Sequence, residues 1–135
     1  MFNIEYATEK NENEYFKIEP YLSKSEFDKK IRDNRCYIIK DEDETIGVLR
    51  YNLFWDYIPF LTLIKISEPY QRKGFGKFAM QFWENEMKKS GHKILMTSTQ
   101  VDEQAQHFYR KLGYKDIGSI VFENQALEMF MIKNI

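Results

Sequence analysis

The 135-residue sequence holds one cysteine, Cys36, three prolines and two histidines. One cysteine excludes an internal disulfide, and His92 and His107 complete no Cys/His zinc spacing. No metal is therefore expected. Such cysteine usage fits a reducing compartment. Cys36, in "CYIIK", reads as a small buried residue rather than a nucleophile. Apolar runs long enough to span a bilayer are missing. The stretch "MFNIEYATEKNENEYFK" is acidic and patterned, unlike a signal peptide. A soluble cytoplasmic protein with no membrane partner is the expectation. An excess of one charge is missing too. Twenty basic residues face 21 acidic ones, for a net charge of -1. That balance gives no general attraction to nucleic acid, so any phosphate site must be local.

What is present argues for a packed core. Hydrophobic residues make up 43% and aromatics 16%, which excludes a disordered chain. The length suits one domain, residues 1–135. "FNIEYA" alternates as a first strand, and "TEKNENE" reads as a polar connection. "YFKIEPYL" suggests a short turn of helix stopped at Pro20. "SKSEFDKKIRDN" opens with a capping-box pattern, Ser23 with Glu26, and continues as a helix. "CYIIK" and "TIGVLRYNLF" are strands around the acidic turn "DEDE". "WDYIP" interrupts, with Pro59 as punctuation. "FLTLIKI" is nearly continuous and apolar, as a central strand buried on both faces should be. A helix over Phe75 to Met87 follows and ends near Gly91. Strand "KILMTST", helix "DEQAQHFYRKLGY" ending at Gly113, and a hairpin around Asn124 and Gln125 complete the chain. One α/β domain around a mixed sheet is the economical reading.

The stretch "YQRKGFGK", Tyr70 to Lys77, joins the central strand to the longest helix. A helix start carries unpaired N–H groups and the positive end of the dipole. Glycine turns the chain tightly and lets a ligand approach the backbone. Arg72, Lys73 and Lys77 add positive charge. Together these make a cradle for an anion, most naturally a diphosphate. The bland alternative is a turn with solvated lysines. "GFGKFA" also satisfies a dinucleotide fingerprint, but "SEPYQRK" separates it from the strand and "LMTSTQ" lacks the ribose-binding acid. P-loop spacing is absent.

"QRKGFG" (Gln71 to Gly76) resembles the Q/R-x-x-G-x-G/A motif of the GNAT N-acetyltransferase superfamily. "AQHFYRKLGY" (Ala105 to Tyr114) is similar to that family's A-x-x-x-Y-x-x-x-G-[FY] segment. The resemblance implies a mixed, mostly antiparallel α/β (α+β) sheet flanked by helices, with splayed central strands. It implies acetyl-coenzyme A as the bound diphosphate, held by Gln71, Arg72, Lys73, Gly74, Phe75, Gly76 and Lys77. The pantetheine arm would pair with the strand ending at Ile66, by β-augmentation. Tyr109 would be the general acid on the leaving thiolate, which suits a phenol with pKa near 10. Spacing alone makes Tyr109 one more core aromatic. Where the family often has asparagine, this chain has Asp102, which can cap a helix but as a carboxylate cannot donate.

An amine acceptor arrives as ammonium and needs a base. Glu68, just past the central strand, is the leading base, although a glutamate before a proline is usually only solvated. Asp56 is second, and His92 and His107 read as surface residues. In "YNLFWDYIPF", Trp55, Asp56 and Tyr57 form a pattern suited to an aromatic box around a cation. Core packing or a homodimer interface is the alternative. Tyr51 and Arg50 precede it, and Arg50 would suit an acceptor carrying a carboxylate. The function implied is direct acetyl transfer from acetyl-coenzyme A to a primary amine, on a small molecule or a protein. The alternatives are a non-catalytic acyl-coenzyme A sensor and a nicotinamide-binding Rossmann domain.

Overall fold

The computed structural model describes residues 1–135. Seven strands form one sheet in the order β1-β2-β3-β4-β5-β7-β6. They are β1 (Phe2–Tyr6), β2 (Cys36–Asp41), β3 (Glu44–Phe54), β4 (Ile58–Ile66), β5 (Ile94–Gln100), β6 (Lys115–Ile120) and β7 (Glu128–Asn134). Four helices accompany them: α1 (Glu12–Ile18), α2 (Lys24–Arg32), α3 (Phe75–Lys89) and α4 (Ala105–Lys111). The pairs β1/β2, β2/β3, β5/β7 and β6/β7 are antiparallel, and β4/β5 is parallel. The chain divides into two compact units, Met1–Asn52 with Thr62–Trp83, and Leu53–Leu61 with Glu84–Ile135. No helix is long and apolar enough to cross a membrane.

The first unit packs α1 and α2 on aromatic side chains. Tyr15 and Phe27 are fully buried with ring centroids 5.0 Å apart. They share a cluster with Ala7, Cys36, Ile38 and Val48. The large apolar side chains among them, Phe27, Ile38 and Val48, each contribute about 1.5–3 kcal/mol by leaving water. A buried polar chain runs through this cluster. Glu19 accepts from the Tyr15 hydroxyl and from the N–H groups of Tyr21 and Leu22. Arg50 donates to the Tyr15 oxygen at 3.0 Å and to the Thr62 hydroxyl at 3.1 Å. Its guanidinium also lies 4.0 Å from Glu19. The buried groups therefore satisfy one another, as burial demands.

Three local expectations change here. The polar run "TEKNENE" is not a plain connection. Thr8 and Asn11 form a reciprocal capping box around a 3₁₀ turn that leads into α1. At α2, Ser23 accepts from the Glu26 N–H at 3.2 Å, but the Glu26 carboxylate pairs with Lys29 instead of closing the box. Pro59 lies inside β4 rather than before it, at a strand start where its missing donor matters least.

In the second unit, β5 pairs β7 from Ile94↔Asn134 to Gln100↔Glu128. The β4/β5 ladder is short for strands of nine and seven residues, with partners Phe60↔Met96 and Leu61↔Thr97. Helix α4 stops at Gly113, whose φ of 98° is costly for any residue with a Cβ. The Tyr114 N–H then bonds back to the Tyr109 carbonyl at 3.1 Å. Glu84 accepts from the Tyr114 hydroxyl and from Lys133, both at 2.8 Å.

Candidate functional site

The glycine loop belongs to the first unit. After β4 comes a 3₁₀ turn, Glu68–Tyr70, then residues 71–74 and the first turn of α3. The Gln71 side-chain amide donates to the Ile66 carbonyl at 2.8 Å and closes the loop onto the strand end. Ser67 N–H donates to the Ile46 carbonyl at 2.7 Å and anchors the same point. Arg72 has φ of 60° and Gly74 φ of 90°. A Cβ at Gly74 would meet nothing within 4 Å. Glycine is required there for its backbone conformation, and the space beside it is open.

The first intrahelical bond of α3 runs from the Phe78 N–H to the Gly74 carbonyl at 3.1 Å. The N–H groups of Phe75, Gly76 and Lys77 thus have no acceptor within the helix. Phe75 fixes the helix start by stacking on Phe2 at 5.4 Å. Arg72, Lys73 and Lys77 are exposed. Lys73 rests 5.9 Å above the Tyr70 ring, and none of the three forms an ion pair. First-turn donors, the dipole of a 15-residue helix and unpaired cations make a donor set that fits a diphosphate.

Tyr109 belongs to the second unit. The residue is 6% exposed, with its ring flanked edge-on by Phe108 at 5.4 Å and Tyr114 at 5.9 Å. Burial pushes its phenol up to about 12, and the Thr97 hydroxyl acts in the opposite direction. The group therefore remains a proton donor at neutral pH. Thr97, 1% exposed, donates its own hydroxyl to the Leu61 carbonyl at 3.1 Å. The buried face of β5 repeats every second residue through Leu95, Thr97 and Thr99.

The other expected residues are more dispersed. Glu68 is exposed and its side chain makes no hydrogen bond. Asp102 does not cap α4. The N-cap position is Gln104, and Asp102 stands exposed two residues before it. Trp55 and Asp56 form the tip of the β3–β4 hairpin with φ of 53° and 69°, where Asn-Gly pairs are usual. Trp55 (71% exposed) and Tyr57 (61%) make no ring contact with each other; Trp55 packs on Phe54 at 4.7 Å. No closed box forms. Tyr57 instead borders a cavity of about 370 Å³ with Ser90 to Ile94, which brings His92 beside it. His107 is exposed. Arg50 is committed to Tyr15, Thr62 and Glu19, and Tyr51 is buried against Trp83 at 5.7 Å.

Solved structures share this fold. The ribosomal-protein-S18-alanine N-acetyltransferase from Escherichia coli is 16% identical, with a TM-score of 0.85 over 100% of this chain and 94% of that one. A GNAT family acetyltransferase from Elizabethkingia anophelis, solved with acetyl-CoA bound, is 18% identical, with a TM-score of 0.79 over 99% and 98%. Naa50 from Arabidopsis thaliana, in complex with the bisubstrate analogue CoA-Ac-MVNAL, is 13% identical, with a TM-score of 0.85 over 99% of both. Comparison with curated proteins finds no match. The model of the acetyltransferase (GNAT) family matches residues 3–114, most of the chain and both motifs, and the chain belongs to that family.

Proposed function

We propose that residues 1–135 act as one acetyltransferase domain that moves the acetyl group of acetyl-CoA to a primary amine within a ternary complex. The observation that carries this reading is the start of α3, where a left-handed Gly74 precedes three unpaired first-turn N–H groups beside three unpaired cations. The bound thioester supplies an acyl carbon activated toward attack. Gln71 to Lys77 hold the diphosphate, largely through main-chain donors. The edge of β4 near Ile66 offers backbone to the pantetheine arm, with Asp102 as a further contact. The incoming amine loses a proton to Glu68, directly or through water. Its nitrogen bonds to the acyl carbon, the carbon–sulfur bond breaks, Tyr109 gives its proton to sulfur, and the surplus proton on the acylated nitrogen returns through water to Tyr109. Burial keeps that proton in place until sulfur develops charge.

The acceptor is a small amine or the amine of a protein, with Trp55, Asp56 and Tyr57 as the contacts to test. A cytoplasmic site is supported by the single cysteine. The experiment is thiol release from acetyl-CoA with spermidine, L-lysine and the peptide Met-Val-Asn-Ala-Leu as acceptors. Saturable release with at least one amine, slowed about tenfold or more in Glu68→Gln, is expected. Release equal to the amine-free rate throughout would count against amine transfer. Wild-type rates in Glu68→Gln would remove Glu68 alone.

A further inference from the structure

A small cavity of about 260 Å³ lies in the first unit at the end of α2. Three elements reach it: α2 with Lys30, the turn before β2 with Arg35, and β3 with Asn52. The turn is tight. Asn34 takes a φ of 55°. The Arg35 N–H bonds back to the Lys30 carbonyl at 2.9 Å, and the Arg35 carbonyl accepts from the Tyr51 N–H at 3.0 Å. The Arg35 backbone is thereby tied to the helix end on one side and to β3 on the other.

Basic residues in a last helical turn complement its dipole, and two of the cations lining this cavity are accounted for. Lys29 is exposed and pairs with Glu26 at 3.2 Å, and Arg32 is exposed and pairs with Asp33 at 3.1 Å. Lys30 differs. It is 5% exposed, and its ammonium donates to one neutral acceptor, the Asn52 side-chain carbonyl. An ammonium has three donors, so the others are unspent. The Arg35 side chain forms no hydrogen bond and no ion pair. Two cations without a carboxylate thus line one small space. A buried charge is costly unless an opposite charge joins it, and an apolar side chain would fill the position of Lys30 more cheaply. Burial, then the charge of Arg50 and, more weakly, that of Arg35, push the Lys30 ammonium below the usual lysine range. An anion in the cavity would oppose that push.

We infer that this cavity binds one phosphate group, held by Lys30 and Arg35, with the Asn52 amide N–H as a further donor. A guanidinium supplies parallel N–H groups and an ammonium a point charge, and oxyanions accept both. The volume lies below the range of pockets for drug-sized ligands, which suits a single phosphate and excludes a nucleotide. Asn52 is exposed, so the ion reaches Lys30 past it. The site is separate from the proposed diphosphate cradle. Ile46 of β3 receives the Ser67 N–H at the foot of the glycine loop. Asn52 lies six residues further along the same strand, about 20 Å at the rise of an extended chain. Bound there, the ion ties α2 to the start of β2 and to β3. It stabilises the fold and takes no part in acetyl transfer.

The probe is inorganic phosphate, titrated into the full chain by calorimetry and by thermal melting, with ionic strength held constant by sodium chloride. Saturable binding and a melting midpoint that rises with phosphate are expected. Arg35→Gln, at a half-buried position, should weaken phosphate binding about tenfold or more and flatten the rise in midpoint. Lys30→Met, which keeps the length of the side chain, should abolish both effects. If Lys30→Met does not fold, Arg35→Gln alone decides. Lys29→Gln, whose charge belongs to Glu26, and Gly74→Glu, in the cradle, should each bind phosphate within about twofold of wild type. Glycerol 3-phosphate separates the two sources of the group. Comparable binding, weakened in Arg35→Gln, supports the site as one for a phosphate monoester, and binding of inorganic phosphate alone supports it as one for the free ion. Absence of saturable phosphate heat up to about 20 mM in the wild type, or wild-type affinity in Arg35→Gln, would overturn the inference. Phosphate binding lost in Gly74→Glu and kept in Arg35→Gln would put the ion in the loop before α3 and overturn it as well.

Discussion

The loop from Gln71 to Lys77 and the surroundings of Tyr109 solve opposite problems. The loop is exposed, its cations are unpaired, and its chemistry lies in backbone N–H groups. Tyr109 is buried among aromatic rings, and its chemistry lies in one side-chain oxygen. Binding a diphosphate asks for positive potential and close approach, which main-chain donors at a helix start provide with little dependence on side chains. Donating one proton asks for a group whose position and protonation are held by its neighbours, which only packing provides. Substitutions in the loop should therefore change affinity and spare stability. Substitutions at Tyr109 should do the reverse, or change rate alone.

The largest expected effect is on affinity. Gly74→Glu puts a side chain at φ of 90° and a carboxylate beside the first turn of α3. Acetyl-CoA binding should weaken about hundredfold or more, roughly 3 kcal/mol, measured by calorimetry. Tyr109→Ala should cost about 3 kcal/mol of stability in urea melts, because it empties a buried aromatic site. Lys73→Ala should stay within about 0.5 kcal/mol in the same melts. If these two costs were similar, the contrast between exposed loop and packed acid would fail.

Tyr109→Phe sharpens the contrast by keeping the packing. It should lower kcat by about ten- to a hundredfold and leave acetyl-CoA affinity within about twofold. The pH profile gives a second check. Burial holds the Tyr109 phenol near 12, so its donor form persists below that value and is lost above it. The rate should show no alkaline fall from this group up to about pH 10. A fall centred near pH 8 would require another acid. The smallest effect belongs to Lys73→Ala and Lys77→Ala, each weakening acetyl-CoA binding by about two- to fivefold, and less as salt rises.

Much of this contrast was legible in residue order. The apolar run after Pro59, the two glycines and the helical spacing beyond them located the strand-to-helix junction. The block from Ala105 to Tyr114 located Tyr109 on a helix ended by Gly113. Where reading failed, a side chain had two local choices. Glu26 chose Lys29 over the box with Ser23, and Thr8 with Asn11 made the box that a polar run had concealed. Asp102 was expected at a cap because of its residue type, but the helix began two residues later. Trp55 and Tyr57, close in sequence, diverge because the hairpin tip turns through two left-handed residues. The bond from the Thr97 hydroxyl to the Leu61 carbonyl could not be picked out, because the two residues are distant in sequence and meet only in the folded unit.

Acetyl-CoA binding at the start of α3 is the proposal from which the rest follows. The most direct test is calorimetric titration of the full chain with acetyl-CoA, wild type beside Gly74→Glu. Saturable binding of one molecule per chain, lost in the variant, is the predicted result. Absence of saturable heat in the wild type, or equal binding by both proteins, would contradict it.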